Sequence, residues 1–233
     1  GAALFAWHCA MGNSKRFVMD HAYWGQSYEN DEIKAAIDKV GLSAQLVEDD
    51  SKLVEMSVDR LVQGKVTGWF QGRFEWGPRA LGNRSILADP RNAEAKDIVN
   101  TKIKFREPFR PFAPAVAAES AGEYFDLPQT HKHMPARFML FVVPVKEDKQ
   151  DVIPAVNHMG TARIQTVYPN VSHRFHQLID TFGQATGVPI LMNTSFNVRG
   201  EPIVGSPQDA VNTFMNSGLD TLVIGNYIVD KKE

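Results

Sequence analysis

The sequence of 233 residues contains one cysteine, Cys9, and no long apolar run. A single cysteine excludes an intramolecular disulfide and fits a reducing compartment. Cys9 has no CxxC partner and no Cys/His pair at metal-binding spacing, so we interpret it as a small buried residue. Because no apolar stretch approaches the roughly 20 residues that a membrane-spanning helix needs, we expect a cytoplasmic protein without a membrane partner.

Several enzyme signatures are also missing. The chain contains no P-loop, GxGxxG, HExxH or GxSxG motif. Their absence argues against P-loop NTPases, Rossmann dehydrogenases, zincins and serine hydrolases. Two histidine pairs, His131 with His133 and His173 with His176, are interpreted as surface residues rather than metal ligands. We therefore predict no metal site in this chain.

Neither sign of charge is in large excess over the whole chain, but one segment has an excess of positive charge. The net charge of −2 gives no general reason to expect nucleic acid or anionic membranes as partners. Between Arg73 and Arg110, however, lie nine basic and five acidic residues, a local balance of +4, while the rest of the chain carries −6. These basic groups stand among glycines, prolines and aromatic residues, which fix the backbone. Residues 72–114 are therefore predicted to form a cradle for a polyanionic ligand.

The hydrophobic pattern predicts an α/β fold. The first helices are expected over 31–40 and 51–63, capped by Asn30 and Ser51. Further helices are predicted over 92–100, 172–186 and 206–217. Strands are predicted over 44–47, 66–70, 112–117, 138–143, 163–168, 189–192, 222–224 and 227–229. Residues 2–10 are expected to be the last turns of a helix, followed by an irregular arm over 12–30.

Two arginines in the glycine-rich part of the cradle are candidate ligand groups. Arg79 follows Gly77-Pro78, which pins the backbone, and a guanidinium offers a permanent charge and a rigid fork that matches phosphate or carboxylate. Arg84 is equally well interpreted as half of an ion pair with Glu75 or Asp89 that locks the loop. For Arg79 that alternative is the less favoured one.

Two more groups of candidates lie outside that loop. Lys104 and Arg106 alternate in a segment predicted to be extended, so their side chains are expected on one face. Arg163 begins a predicted strand and has a surface ion pair as an equal alternative. Ser195 and Asn197 follow a buried strand, where they suit phosphate oxygens or a base edge, or else form a self-bonded turn.

Five sequence runs carry a family resemblance. They are 72–91, which reads GRFEWGPRALGNRSILADPR, 104–114, which reads KFREPFRPFAP, 160–167, 193–204 and 225–227. With these runs the chain, from about residue 65 to its end, resembles the C-terminal region of the NodU-type O-carbamoyltransferases.

The resemblance implies a fold and an activity. The expected fold is YrdC-like, with a twisted mixed sheet flanked by helices and a basic concave face. The expected reaction makes carbamoyl-adenylate from carbamoyl phosphate and ATP. A separate N-terminal domain, with an actin-like fold and a metal ion such as Fe²⁺, would then transfer the carbamoyl group to an acceptor hydroxyl. On this basis residues 1–30 form the end of that domain plus a linker arm, and residues 31–233 form the carbamoyltransferase C-terminal domain.

The resemblance also assigns roles to residues. YrdC-like domains pair Lys-x-Arg with Ser-x-Asn at the nucleotide, which here are Lys104-Phe-Arg106 and Ser195-Phe-Asn197. The residues implied as ligands of phosphate or carbamoyl groups are Arg79, Arg110 and Arg163. Mg²⁺ is expected to bridge the phosphates of ATP rather than to be held by the protein. His158 receives no role, because the acidic residue that accompanies it in relatives is missing here.

Two other functions remain open from the sequence. The domain could be a catalytically silent nucleotide- or anion-binding module that stabilises or regulates the N-terminal domain. It could also bind RNA on its basic face, although the overall charge and the lack of interleaved exposed aromatic residues argue against this. A homodimer is a further possibility.

Overall fold

The computed structural model describes residues 1–127 and 133–231, and its centre is one mixed β-sheet. The strands in chain order are β1 (Gln45–Leu46), β2 (Thr67–Phe70), β3 (Arg84–Ala88), β4 (Ala113–Ala117), β5 (Val142–Pro144), β6 (Thr161–Arg163), β7 (Gln165–Val167), β8 (Ile190–Ser195), β9 (Thr221–Ile224) and β10 (Tyr227–Asp230). Among these residues, eight strands form the main sheet in the order β1-β10-β9-β2-β3-β8-β4-β7, and β5 pairs with β6 separately. Only the β2–β9 and β4–β7 pairs are parallel within the described sheet.

Helices cover both faces of the sheet. In chain order they are α1 (Ala2–Phe5, continued by a π-helical turn, Ala6–Ala10), α2 (Asn30–Lys39), α3 (Asp50–Val62), α4 (Ala95–Ile98, continued by a π-helical turn, Val99–Ile103), α5 (Ala121–Tyr124), α6 (His173–Thr186) and α7 (Pro207–Met215). α2 and α7 contribute to one hydrophobic cluster, and α3 and α6 contribute to the other.

Side-chain alternation along the central strands supplies both clusters. In β2, Trp69 packs with α3 and α6, whereas its neighbour Phe70 packs with α2 and α7. In β3, Leu87 belongs to the cluster of α3 and α6, and its neighbour Ile86 belongs to the cluster of α2 and α7. Successive strand residues point to opposite faces, so a short run of buried residues fills both layers. The predicted α/β class with a mixed sheet and flanking helices is therefore confirmed.

Capping side chains determine where the helices begin, and two helices, α2 and α3, begin slightly earlier than predicted. Glu29, not Asn30, caps α2 in a reciprocal capping box with Glu32. Asp49, not Ser51, caps α3, and its carboxylate accepts a hydrogen bond from the Lys52 N–H at 2.7 Å. Ser206 caps α7 with Pro207 and Asp209 as predicted. Acidic residues just before the expected caps were overlooked, although they are equally good acceptors.

Two predicted strands have different forms in the structure. The strand predicted over 138–143 begins only at Val142, as β5, because Met134–Phe138 forms a 3₁₀ helix that ends in left-handed Met139, with φ of 56°. Its proline near the start favours the helical turn. In place of the single strand predicted over 163–168, the structure has two strands, β6 and β7, which belong to different sheets. The buried Ile164 lies between them.

The N-terminal residues are helical and then irregular, as predicted. None of the residues of α1 or its π-helical turn is buried, and Cys9 is exposed, contrary to the buried position expected. The irregular arm crosses the loop before β3. There Tyr23 forms an isolated β-bridge with Glu75 and donates a hydrogen bond from its hydroxyl to the Leu81 carbonyl at 2.8 Å. Within the described ranges, no helix has both the length and the apolar composition to cross a membrane.

Candidate functional site

The candidate residues lie in loops that meet at one edge of the main sheet. Because β2 and β8 are antiparallel to β3, their carboxyl ends lie beside its amino end. The amino ends of β4 and β7 reach the same edge through their pairing with β8 and with each other. Arg79 lies in the loop before β3, Arg106 before β4 and Arg163 before β7, while Ser195 ends β8. The topology therefore gathers side chains that are far apart in sequence.

The Lys104 ammonium lies in a cage of oxygen atoms supplied by residues 195–197. Its Nζ donates to the Asn197 carbonyl and Oδ1, each at 2.8 Å, to the Ser195 Oγ at 3.3 Å, and to the Ser195 carbonyl. The Ser195 hydroxyl in turn donates to Asn197 Oδ1 at 2.7 Å. The Lys-x-Arg and Ser-x-Asn segments, 91 residues apart, are therefore in direct contact.

Burial and the nearby Arg106 lower the pKa of Lys104 from its usual 10.5 to about 7. Burial is the larger cause, because it disfavours the charged form. The four oxygen acceptors favour the charged form and oppose this effect. An anion placed beside Nζ would favour the ammonium further.

Arg106 lies at the centre of the site but not on an extended strand. The intervening Phe105 has a positive φ of 48°, so a tight turn, rather than strand alternation, brings Lys104 and Arg106 to the same cavity. Arg106 Nε donates to Asn100 Oδ1 at 2.7 Å, and its guanidinium lies 4.7 Å from the centre of the Phe112 ring. Burial, followed by the charge of Arg110, lowers the pKa of Arg106.

Three cavities open around Arg106, and each has a different lining. The lysine cavity, of about 240 Å³, is lined by Lys104, Arg106, Glu107, Arg110, Ser195, Asn197, Val198, Arg199 and Gly200. The inner cavity, of about 100 Å³, is lined by Pro78, Arg79, Ala80, Arg106, Pro111, Phe112, Ala113, Met139, Arg163, Asn193, Thr194 and Ser195. The outer cavity, of about 330 Å³, is lined by Arg79, Arg106, Arg110, Pro111, Phe112, Val142, Val156, His158, Thr161, Ala162 and Arg163.

The inner and outer cavities share Arg79 and Arg163. Burial, followed by the charge of Arg79, lowers the pKa of Arg163. The Arg163 Nε–H is buried and has no hydrogen-bond partner within residues 1–127 and 133–231. Among the described residues, no ion pair involves Arg163 or Arg79, so the geometry does not support the ion-pair alternative.

Arg110 connects the lysine and outer cavities while remaining exposed. Its Nε lies 3.0 Å from the Glu107 carboxylate, and both side chains are about half exposed. An exposed pair of this kind is weak and leaves the arginine able to reorient. Of the described residues that line the three cavities, Glu107 is the one acidic side chain.

Arg84 has a structural position instead. It is fully buried, its guanidinium lies 3.6 Å from the centre of the Phe70 ring, and it donates to the carbonyls of Gln71, Gly72, Asn83 and Gln26. Burial lowers its pKa to about 10. Glu75 holds the same loop, because one carboxylate oxygen accepts the backbone N–H groups of Leu81, Asn83 and Arg84. Arg84 therefore locks the loop, as the structural alternative proposed, but through backbone carbonyls rather than the ion pair predicted with Glu75 or Asp89.

Other residues of the basic segment have structural positions or face solvent. A Cβ at Gly82 would lie 2.2 Å from the Phe175 ring, so this glycine allows close packing. Arg73 donates to the carbonyls of Gly25 and Trp24. Phe109 is 70% exposed.

Sequence reasoning missed three residues near the cations. Arg199 lines the lysine cavity and donates to the Phe105 carbonyl at 3.3 Å. Asn100 is fully buried and orients Arg106, and Asn193 lines the inner cavity. Arg199 follows the Ser-x-Asn segment closely enough to have been noticed. Asn193 begins the run 193–204 and was assigned no role there, whereas Asn100 carries no distinguishing pattern in the sequence.

The described histidines belong to no cluster that could hold a metal ion. Among the described residues, no group of three His, Cys, Asp or Glu side chains is placed to hold a metal ion. His176 Nε2 lies 2.8 Å from the Glu119 carboxylate, and His173 is exposed. His133 packs edge-on against Phe141, whereas the prediction for His131 falls outside the described residues. His158 lines the outer cavity.

The fold and the site define an α/β domain that gathers cations around three cavities at one edge of a mixed sheet. Residues 58–231 match the protein family described as "Carbamoyltransferase C-terminus". The match covers most of the chain, and the chain belongs to this family. The resemblance to the C-terminal region of NodU-type O-carbamoyltransferases is confirmed.

Curated relatives extend beyond the chain. Nodulation protein NolNO of Sinorhizobium fredii is 44% identical over 234 residues, covering 100% of this chain and 34% of the relative. A 3'-hydroxymethylcephem-O-carbamoyltransferase of Amycolatopsis lactamdurans is 38% identical over 174 residues, covering 74% of this chain and 32% of the relative. The chain therefore spans about a third of the length of these two relatives.

A solved structure supports the fold class. The structure of P. abyssi Sua5 complexed with L-threonine aligns with a TM-score of 0.55 and 15% sequence identity. The alignment covers 76% of this chain and 48% of the Sua5 chain. At this identity the likeness concerns the fold alone, and it confirms the predicted YrdC-like class.

Proposed function

We propose that this domain binds ATP and carbamoyl phosphate and forms carbamoyl-adenylate. The observation that carries the proposal is the convergence of three cavities on Arg106, with cations on every shared wall. Membership of a carbamoyltransferase family supports the carbamoyl donor. A cationic site divided in this way suits a ligand with a polyphosphate, a small polar group and a nucleoside.

Each cavity matches one part of the reactants. The lysine cavity takes the ATP phosphates, which contact Lys104, Arg106 and Arg110, while Ser195 and Asn197 orient them. The inner cavity takes the carbamoyl group beside Arg79 and Arg163. The outer cavity is the largest of the three and has apolar walls that suit the nucleoside.

The reaction needs positioned charge more than a nucleophilic side chain. Water cleaves carbamoyl phosphate to carbamate and inorganic phosphate. A carbamate oxygen then forms a bond to the α-phosphorus of ATP as the bond to the bridging oxygen breaks, and pyrophosphate leaves. Both reactants are anions, so fixed cations offset their repulsion and stabilise the charge on the departing pyrophosphate. The arginines and Lys104 supply this charge.

The described residues fit a phosphate-bound Mg²⁺ rather than a protein-held ion. They offer no cluster of three acidic or histidine ligands, and the one cavity carboxylate, Glu107, faces Arg110. Mg²⁺ prefers oxygen ligands, and the phosphates provide them. When bound, the ion would neutralise part of the phosphate charge, and the chain's own residues would orient the phosphates.

The domain arrangement is part of the same proposal. Residues 1–30 form the end of an N-terminal domain and an arm, and residues 31–233 form the adenylating domain. The N-terminal domain, with its metal ion, transfers the carbamoyl group to an alcohol. The exposed α1 and the name of the cephem relative, an O-carbamoyltransferase of a hydroxymethyl group, support this arrangement.

Exchange of labelled pyrophosphate into ATP in the presence of carbamoyl phosphate tests the proposal. We expect exchange in the wild-type protein. The exchange rate should fall at least a hundred-fold in the double variant Lys104→Met/Arg106→Met, because each substitution removes a phosphate contact. Lys34→Met, at an exposed lysine of α2, is the matched control and retains normal exchange. Normal exchange in the double variant would show that the site is elsewhere. Tight ATP binding without exchange in the wild type would favour a silent binding module.

A further inference from the structure

Two buried polar atoms have no hydrogen-bond partner among the described residues, and both belong to residues that line the inner cavity. One is the Arg163 Nε–H, a donor, and the other is Asn193 Oδ1, an acceptor. Asn193 is 2% exposed. A buried polar group without a hydrogen bond destabilises the fold, and such groups are rare in folded proteins. Two of opposite type at one small cavity indicate a ligand that both accepts and donates a hydrogen bond.

The orientation of the Asn193 amide is fixed by its neighbours. Its Nδ2 donates to Gln165 Oε1 at 2.8 Å and to the Ala80 carbonyl at 3.3 Å. Gln165 Nε2 donates in turn to the Leu81 carbonyl at 2.7 Å. Both atoms near Nδ2 are acceptors, so reversing the Asn193 amide would place oxygen against oxygen. Asn193 Oδ1 is therefore the amide atom that has no hydrogen-bond partner among the described residues.

The strand also places Asn193 beside the other site residues. Asn193 and Ser195 are two residues apart in β8 and share one face of the sheet. Ser195 lines both the inner and the lysine cavity. The described lining of the inner cavity includes three arginines and no carboxylate, so Asn193 Oδ1 is its side-chain amide acceptor among strong donors.

We infer that Asn193 is the specificity-determining residue for the amino group of the carbamoyl donor. The carbamoyl NH₂ donates to Asn193 Oδ1 while the carbamoyl oxygen accepts from Arg163. This inference rests on the proposed function, since it concerns the same donor. An acetyl group has a methyl in place of the NH₂ and leaves Oδ1 unpaired. A site that hydrogen-bonds a substrate group rejects an analogue that lacks it.

A pair of stable ligands tests this inference without any variant. Phosphonoacetamide and acetonylphosphonate replace the bridging oxygen of carbamoyl phosphate and acetyl phosphate by a methylene, and they differ only in NH₂ against CH₃. Calorimetric titration of the wild-type protein should show binding of phosphonoacetamide roughly ten-fold or more tighter, as expected for one buried hydrogen bond. Equal affinities for the two would overturn the role of Asn193 and leave the proposed function intact. Binding of neither would contradict the proposed donor site itself.

Two variants separate discrimination from affinity. Asn193→Leu, of similar volume, should bring the affinity ratio to within about two-fold, mainly by weakening phosphonoacetamide binding. Arg79→Met is the matched control, because it removes a cation that serves both ligands and should weaken both while the ratio is kept. A folded Asn193→Leu that retains the wild-type ratio would also overturn the inference. If this variant fails to fold, the wild-type ratio still decides.

Discussion

Lys104 combines a buried amine with four oxygen acceptors from residues 195–197. Burial and Arg106 lower the pKa of this amine to about 7, so near neutral pH it exists in both forms. The charged form is the one that attracts a phosphate. A bound polyphosphate therefore favours protonation, and nucleotide binding and proton uptake at Lys104 are linked.

We predict that the Lys104 side chain titrates with a midpoint near pH 7 in the free protein. The ¹³Cε resonances of labelled lysines measure this directly, and Lys104→Met assigns the signal by its loss. Addition of ATP should raise the midpoint above about pH 8, because the phosphate charge stabilises the ammonium. A Lys104 signal that titrates near the usual 10.5 in the free protein would contradict the prediction.

The same titration affects folding with a definite sign. Between pH 7 and 10.5 the unfolded chain holds the Lys104 proton more firmly than the folded chain does. Raising the pH through that window therefore increases the contribution of Lys104 to stability, which is least favourable below about pH 7, where both states are protonated.

At the scale of elements, the loop before β3 is held from two sides. Glu75 binds three of its backbone N–H groups, and Gly82 packs against the Phe175 ring on α6. The loop carries Arg79, exposed, at the rim of the inner cavity. Rigid support of this kind keeps a cation at a fixed place without burying it.

We predict that Gly82→Ala destabilises the protein by about 2–5 kcal/mol. The new Cβ would lie 2.2 Å from Phe175 Cδ1, and the glycine has φ of 107°, which other residues rarely adopt. Gly64→Ala is the matched control, because Gly64 also has positive φ, 81°, but has nothing within 4 Å; it should cost about 1 kcal/mol. Urea unfolding of both variants measures the difference, and equal losses would show that the ring contact is unimportant.

Most helices and strands could be predicted from the sequence, whereas the contacts between residues distant in sequence could not. Apolar periodicity located α2, α3, α6 and α7 to within a few residues, because each buries a helical face. β3 was missed, since its arginine and serine suggested a loop, although both side chains are buried. The Lys104 turn was also missed, because positive φ at Phe105 has no signature in a non-glycine residue. Motif resemblance brought together Lys104, Ser195 and Asn197, which local patterns alone would not pair.

For the whole molecule, charge distribution separates two kinds of anion binding. The net charge of −2 gives no broad field to attract nucleic acid, and the cations instead converge on adjoining cavities. Such a distribution suits a compact polyanion better than an extended strand, which needs a long basic groove. It therefore weighs against the RNA-binding alternative.

The exposed N-terminal helix suggests how the domain communicates with its neighbour. Phe5 and Trp7 are 68% and 46% exposed, and no residue of α1 is buried. Large aromatic side chains of this kind are typical anchors of an interface. In the proposed arrangement α1 ends the N-terminal domain, so these side chains pack against the rest of that domain, far in sequence from the residues that line the candidate site.

We predict that Phe5→Lys/Trp7→Lys in the protein with its N-terminal domain uncouples the two half-reactions. Pyrophosphate exchange should stay within about two-fold of wild type, while carbamoylation of the acceptor alcohol should fall roughly ten-fold or more, since interface anchors are each worth about 2 kcal/mol. Met215→Lys, at a side chain of similar exposure, 45%, on α7, is the matched control and should affect neither rate. A parallel loss of both activities would mean that α1 supports residues 31–233, and no loss of either would contradict the packing of α1 on the N-terminal domain.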